Sequence, residues 1–492
     1  MMPSPDTLHP TGRPLWLLTG LLLFILPLAC TPGPDTPPAR DSGIADFLDR
    51  GSWDDNDLLG GDGLHGDSLL DDGSTPAPLA PGIFDNPGGD TFLAPRAELL
   101  PLWKFVKSAR YVGIGESVHG AAAYLATRAR LIRAGILDEG FRVIAMETPR
   151  TSAEKLETYL QSGNCDSEAD AKRAIVYSVF GTFSDQSALP LFQFVCKWNR
   201  NHVNDRVHFF GFDMQQPEHD FQIISAFINT YASTDTSLGL SALSPCVTKH
   251  STSGLSEGDF LTCTKVLDGF HTYLTSHAAT VFSSVPRKEL DKADLAIRSL
   301  RGYNTAFYWD PTYNALFPMK DPTDMVEYIA RLNKASETRD KLMAEIFSTR
   351  VARDYPSSRV FLWAHNTHLA KRHDEGKNEE PSFGPLIMYG RTMGTILGET
   401  YGETYAAIAG IGDAIYIKGS DGKPMLYHLS QSSQALETRL LSFGKKHLSV
   451  DAEAPFVGTS PTVLHADIFV VRHAFRALYW VKNSQPAVSL QP

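Results

Sequence analysis

The sequence predicts an α/β fold, a mainly parallel sheet flanked by helices and carrying a large, mostly helical insertion. Two observations carry this. Short apolar runs of strand character alternate with amphipathic helical stretches through the first part of the folded region. Four of those runs also end in a charged or imidazole side chain: Tyr111-Val-Gly-Ile-Gly reaches Glu116 and His119, Phe141-Arg-Val-Ile-Ala-Met reaches Glu147, Val207-His-Phe-Phe-Gly-Phe reaches Asp213, and Val360-Phe-Leu-Trp-Ala reaches His365. In an open parallel sheet the carboxyl ends of the strands share one edge, where such folds place their ligands.

Taken in chain order, residues 1–30 read as a signal peptide. An apolar run from Leu15 to Leu28 follows a stretch whose only Lys or Arg is Arg13, and it is short for a membrane span. It stops at Leu26-Pro27-Leu28-Ala29-Cys30, which resembles a bacterial lipobox. The expectation is an exported protein, either held at a membrane by lipidation of Cys30 as a periplasmic lipoprotein or released to the periplasm or medium. Residues 31–90 are dominated by Pro, Gly, Ser and Asp and read as a disordered acidic tether. Within it, Asp41 to Asp72 holds ten Asp and one Arg, so −9 of the formal −11 falls there and about −2 is left for the rest. Gly60-Gly-Asp-Gly-Leu-His-Gly-Asp67 has the look of a calcium-binding repeat, but His65 stands in a ligand position and the unit does not recur, so a solvated spacer is the better reading. The nearly neutral remainder has no basic face for nucleic acid.

The folded domain is expected over 91–482. Its 492-residue chain is 42% apolar and 10% aromatic, enough for a sizeable core. Helical periodicity marks Ala121–Ala134, Thr151–Gln161, Leu189–Arg200, Leu290–Arg301 and Pro322–Thr349. After Asp213 about 150 residues read as helix and loop before the strand ending at His365, which places the insertion at about 215–349. Its aromatics, Phe307, Tyr308, Trp309, Tyr313 and Phe317, suit the insertion's own core better than a substrate cleft. Tyr405-Ala-Ala-Ile-Ala-Gly and Ala466-Asp-Ile-Phe-Val-Val-Arg are further strand candidates. Cys165, Cys196, Cys246 and Cys263 show no CxxC spacing; Cys246 with Cys263 suits a short disulfide loop, and four reduced cysteines are an equal alternative.

The chemistry concentrates at the strand ends. Glu116 and His119 share the turn Gly115-Glu-Ser-Val-His119-Gly, Arg128 follows on the next helix, Glu147 ends the second strand, and His365-Asn-Thr-His368 forms a second histidine turn. An imidazole beside a carboxylate has a fixed tautomer and raised basicity, the composition of a water-activating base. Ser117 has no Gly-x-Ser-x-Gly elbow around it, and no phosphate loop or dinucleotide fingerprint is present, so no cofactor is expected. Two His and two Glu at one edge leave a metal-dependent hydrolase open, although His-Glu-x-x-His is absent. A ligand-binding protein, for example one that takes haem at the same histidines, is the alternative from outside the enzymes.

Several blocks in order resemble the erythromycin esterase family: Val112-Gly-Ile-Gly-Glu-Ser-Val-His-Gly, Arg128-Ala-Arg-Leu-Ile-Arg133, Val143-Ile-Ala-Met-Glu147, Phe209-Phe-Gly-Phe-Asp-Met-Gln215, Arg339-Asp-Lys-Leu-Met-Ala-Glu345 and Leu362-Trp-Ala-His-Asn-Thr-His368. The resemblance covers about 94–413. It implies a metal-independent hydrolase that opens a macrolide lactone, or a similar ester, with His-activated water, the activity behind one form of antibiotic resistance. It also implies His119 as general base, Glu147 as its orienting carboxylate, and Glu116, Arg128 and His365 as groups that place water or stabilise the oxyanion. Asp213 and His368 are candidates to contact the substrate. Where the family usually carries a Trp and acidic residues, this chain has Val179-Phe-Gly-Thr-Phe-Ser-Asp-Gln186, so the wall of the cleft differs.

Overall fold

The computed structural model describes residues 77–232, 240–248, 255–310, 324–371, 391–418, 423–428, 436–458, 462–464, 467–469 and 471–491. The expected signal peptide, the lipobox and most of the tether lie outside these residues, as do Tyr313 and Phe317. The strands are β1 (Ile83–Asp85), β2 (Tyr111–Ile114), β3 (Phe141–Pro149), β4 (His208–Asp213), β5 (Arg359–Trp363), β6 (Tyr405–Lys418), β7 (Pro424–His428), β8 (His447–Asp451), β9 (Thr462–Leu464), β10 (Asp467–Phe469) and β11 (Ala477–Ser484). Nine of them form one sheet in the order β1-β8-β11-β6-β2-β5-β3-β4, with β7 on β6. From β11 to β4 every neighbouring pair is parallel, while β8, β1 and β7 join antiparallel.

The parallel strands are buried on both faces, which is why they read as nearly unbroken apolar runs rather than as alternating patterns. Alternation still sorts their side chains. Val143 and Ala145 of β3 and Val360 and Leu362 of β5 join one core; Ile144, Met146, Phe361 and Trp363 join the other. The second core is closed by α1 (Leu100–Val106), α2 (Ala122–Asp138), α3 (Ala153–Ser162), α4 (Glu168–Val176) and α5 (Leu189–Asn201). The first is closed by α6 (Pro217–Tyr231), α7 (Glu257–Ser276), α8 (Arg287–Trp309) and α9 (Asp324–Asp354), then by α10 (Asn366–Leu369), α11 (Met393–Tyr401) and α12 (Leu436–Leu441). The helical insertion is therefore the sheet's second helix layer, sharing a core with the strands. Phe307 lies in that core and Tyr308 is buried.

Three boundaries need correction. The fold begins before residue 91: β1, assigned from sequence to the tether, pairs with β8, and Asn86 is buried with its side-chain Oδ1 accepting from Arg130. A three-residue edge strand amid Pro and Gly is too short to give a periodic signal. At the other end the fold passes residue 482, because β11 runs to Ser484 and Leu490 is buried. The expected strand around Ala466 is a three-residue strand paired only with β9, apart from the main sheet, and the chain becomes helical at Val471. Among the described residues no helix is long and apolar enough to cross a membrane.

Candidate active site

Because β2, β3, β4 and β5 are parallel neighbours, Glu116, His119, Glu147, Asp213 and His365 emerge at one edge. The turn after β2 is shaped by Gly115, where a Cβ would overlap the Asn366 side chain. Asn366 uses that close approach to bind the backbone of Gly410 through both its amide atoms and to donate its own N–H to the Glu116 carbonyl. The turn is thus sewn to the strands on either side.

Two charged clusters result. In the first, His119 Nδ1 lies 2.7 Å from Glu116 Oε1, and Arg128 pairs with the other Glu116 oxygen. Arg128 and Glu116 are fully buried, with the guanidinium stacked over Trp363 at 4.6 Å. With Glu116 Oε1 as the acceptor of this pair, Nδ1 is the ring nitrogen that donates and Nε2 is the one turned away from Glu116. Among the described residues nothing hydrogen-bonds His119 Nε2. The ring also packs edge-on against Phe183 at 5.1 Å and lies 5.3 Å from the His365 ring.

In the second cluster Glu147 Oε2 accepts the His365 backbone N–H at 2.9 Å, while Oε1 accepts from Arg339 at 2.8 Å and faces His368 Nε2 at 3.3 Å. Arg339 also binds Asp213, and Asp340 holds His368 Nδ1 at 2.6 Å. Burial alone would push the Glu147 carboxyl up, but His368, Arg339 and His119 outweigh it and hold it well below its usual range. Burial would likewise lower His368, yet Asp340 and Glu147 raise it to about 10. Three carboxylates around one guanidinium favour a second cation, so His368 is the imidazolium and its 3.1 Å approach to Arg339 is an approach of two cations bridged by Glu147. His365 is the opposite case. Burial, then His119 and His368, push it down to about 3, leaving a neutral ring whose Nε2–H donates to Ser117 O and whose Nδ1 faces Thr367 Oγ1.

The structure therefore brings all the sequence-predicted residues to one edge but redistributes two roles. The carboxylate on the His119 ring is Glu116, not Glu147: a turn of three residues lets Glu116 fold back, whereas both Glu147 oxygens are engaged by the neighbouring strand and by α9. Asp213 is fully buried against Arg339 and the Met214 N–H, in the scaffold of the site and out of reach of a ligand. An open groove of about 600 Å³ between α3, α6 and α8 is lined by none of these residues. Among the described residues no three His, Cys, Asp or Glu side chains are grouped as metal ligands.

Residues 136–452 match the family model described as erythromycin esterase. The chain belongs to the erythromycin esterase family. The matched span holds Glu147, Asp213, Arg339, Asp340, His365 and His368; Glu116, His119 and Arg128 precede it. YbfO of Bacillus subtilis (strain 168), named provisionally as a hydrolase, is 26% identical over 303 residues, 58% of this chain and 61% of that protein's length. Among solved structures, a mutant of the erythromycin esterase EreC in its open conformation is 18% identical with a TM-score of 0.64, covering 83% of this chain and 99% of its own. A protein from Bacillus cereus gives 17%, 0.63, 83% and 97% in the same order, and a succinoglycan biosynthesis protein gives 15%, 0.60, 82% and 95%. At these identities the solved structures establish the fold shared with the esterase.

Within this family framework the residues missed from sequence are Arg339, Asp340 and Phe183. A geometric signal existed for the first two. Helix α9 leads into β5, and the roughly 22 Å from residue 354 back to 339 at 1.5 Å per residue nearly equals the roughly 20 Å from 359 to 365 along a strand. Arg339 thus returns level with His365.

Proposed function

We propose that the protein hydrolyses a carboxylic ester, a macrolide-like lactone being the leading class, by water activated at His119 without a metal. The observation that carries this is the Glu116-held Nδ1–H of His119 with Nε2 left unpaired by the described residues. Family membership and the hydrolase name of the Bacillus subtilis relative support hydrolysis as the reaction class.

In this reading His119 Nε2 takes a proton from water while the water oxygen bonds to the acyl carbon and the carbonyl electron pair moves onto its oxygen. Collapse of the tetrahedral oxyanion breaks the acyl–oxygen bond, and the leaving alkoxide takes the proton back from His119. The products are an acid and an alcohol, joined in one opened chain when the substrate is a lactone. Side-chain exposure sorts the roles: His119 at 19% and Arg339 at 14% reach solvent, whereas His368 is buried and Glu116 and Arg128 are fully so. His119 and Arg339 are thus the groups a substrate meets. Arg339 supplies hydrogen-bond donors for the oxyanion, Arg128 holds Glu116 in place, and Glu147 and His365 hold the frame. Metal-independence is supported by the engaged nitrogens of His365 and His368, which have no lone pair to spare. We further propose that the chain is exported, as a Cys30-anchored lipoprotein or a free periplasmic or secreted protein, its folded part tied by two disulfides.

The test incubates the protein with a panel of macrolides and simple lactones and follows gain of one water by mass spectrometry. Ring opening is expected with the wild type and a loss of about 10²- to 10⁴-fold with His119→Ala. Product formation indifferent to His119→Ala sinks the mechanism, and loss of activity to a chelator, restored by Zn²⁺, would favour the metal-dependent form.

A further inference from the structure

Helix α2 begins without a cap of its own. Its N-cap is Ala121, which has no side-chain acceptor for the free N–H groups of the first turn. The acceptors come from the far end of the chain. Strand β11 ends at the catalytic edge, and there Ser484 Oγ accepts the Ala123 N–H at 3.1 Å and Gln485 O accepts the Ala122 N–H at 2.9 Å. The Ala487 N–H then donates to Gly120 O at 2.7 Å, next to His119, where Gly120 sits at φ +80°. The same segment continues to a second turn: Val488 O accepts the Gln186 N–H at 3.0 Å, and the Leu490 N–H donates to Ser184 O at 3.0 Å. Leu490 is buried in the core beneath.

These two turns carry His119 and Phe183, the residues whose rings meet edge-on. No main-chain hydrogen bond between residues 119–123 and 183–186 is found among the described residues, so the segment 485–490 is what spaces them. We propose that this C-terminal segment is a clasp that positions His119, fixing its ring between Phe183 and Glu116. The inference rests on the reading of His119 as the base, and it lies in residues beyond the span matched by the family. The clasp touches no substrate; its residues are positioning residues acting through the backbone.

The test compares the full chain with a truncation after Ser484 and with Ala487→Pro, which removes the N–H donated to Gly120 and fixes φ at that one position. Two readouts are taken: kcat and KM on an ester that the wild type opens, and the rate of His119 carbethoxylation by diethyl pyrocarbonate, mapped by mass spectrometry. Because a displacement of about 1 Å can cost 10²-fold, kcat should fall tenfold or more with KM nearly unchanged. His119 should also be modified several-fold faster. Where truncation unfolds the chain, Ala487→Pro decides. Unchanged His119 reactivity in a folded variant, whatever happens to Tm, overturns the clasp. Since carbethoxylation needs no substrate, a protein inactive on every ester would sink the proposed hydrolysis and still leave this question answered.

Discussion

At the scale of single residues, the site turns on how one carboxylate serves two donors. Glu116 accepts from Arg128 with one oxygen and from His119 with the other. Glu116→Gln leaves one acceptor for both. The charged guanidinium is the stronger claimant, so the amide oxygen turns to Arg128 and its NH₂ faces Nδ1, which must then accept. The proton moves to Nε2 and the base is lost. We expect kcat to fall by about 10²- to 10⁴-fold, as when a catalytic histidine is held in the wrong tautomer, and Tm to fall as well because buried Arg128 loses its counter-charge. Turnover within threefold of wild type would mean that Glu116 does not set the tautomer. Glu147→Gln, by contrast, removes charge from a network that faces Arg339 and His368. The sequence made both carboxylates visible, since each follows a strand, but not their division of labour, which depends on the fold-back of a three-residue turn.

At the scale of elements, the second cluster docks α9 onto the sheet edge. Arg339 and Asp340 on α9 meet Glu147 of β3, Asp213 of β4 and His368 of α10, and Asp340 also accepts the N–H of Met393 at the start of α11. This makes helix docking pH-dependent, with a sign fixed by the imidazolium. His368 titrates near 6.5 when unfolded and is raised to about 10 when folded, so its contribution is fully present below about pH 6.5 and lost as pH rises through 10. His365, lowered to about 3, works on the acid side, withdrawing stability as pH falls from about 6.5 towards 3. Wild-type Tm should therefore decline between pH 7 and 10, and His368→Gln should start lower but decline less steeply. Parallel slopes would show that His368 is not charged in the folded state. Strand ends were readable because an apolar run buried on both faces stops abruptly at a charge. The helix contribution was not: the block Arg339–Glu345 stood out only as part of the family resemblance, and because Arg339 sits mid-helix among other charged residues, its place at the site follows only from the return distance along α9.

Across the whole molecule, the two helix layers are each closed by a disulfide. Cys165–Cys196 spans 31 residues and ties the loop after α3 to α5 on one face; Cys246–Cys263 spans 17 residues and ties the α7 helix to the segment before it on the other. The shorter loop was legible from spacing in a Ser- and Thr-rich stretch. The longer one was not, because four cysteines allow three connectivities and the pair is brought together only when α3, α4 and α5 pack. Cross-links of this kind belong to oxidising compartments, which agrees with the proposal that the chain is exported. By loop entropy the bonds contribute about 4 and 3 kcal/mol respectively. Since all four cysteines are buried, reduction requires opening of the layers rather than surface attack. We expect Cys165→Ser with Cys196→Ser, and separately Cys246→Ser with Cys263→Ser, to lower unfolding free energy in urea by roughly these amounts. Wild-type protein in reductant should fall to the level of the combined variants, and protein made in a reducing cytoplasm should start there. If the exported and cytoplasmic forms unfold at the same urea concentration, with free thiols in both, the bridges do not form and the argument from compartment fails with them.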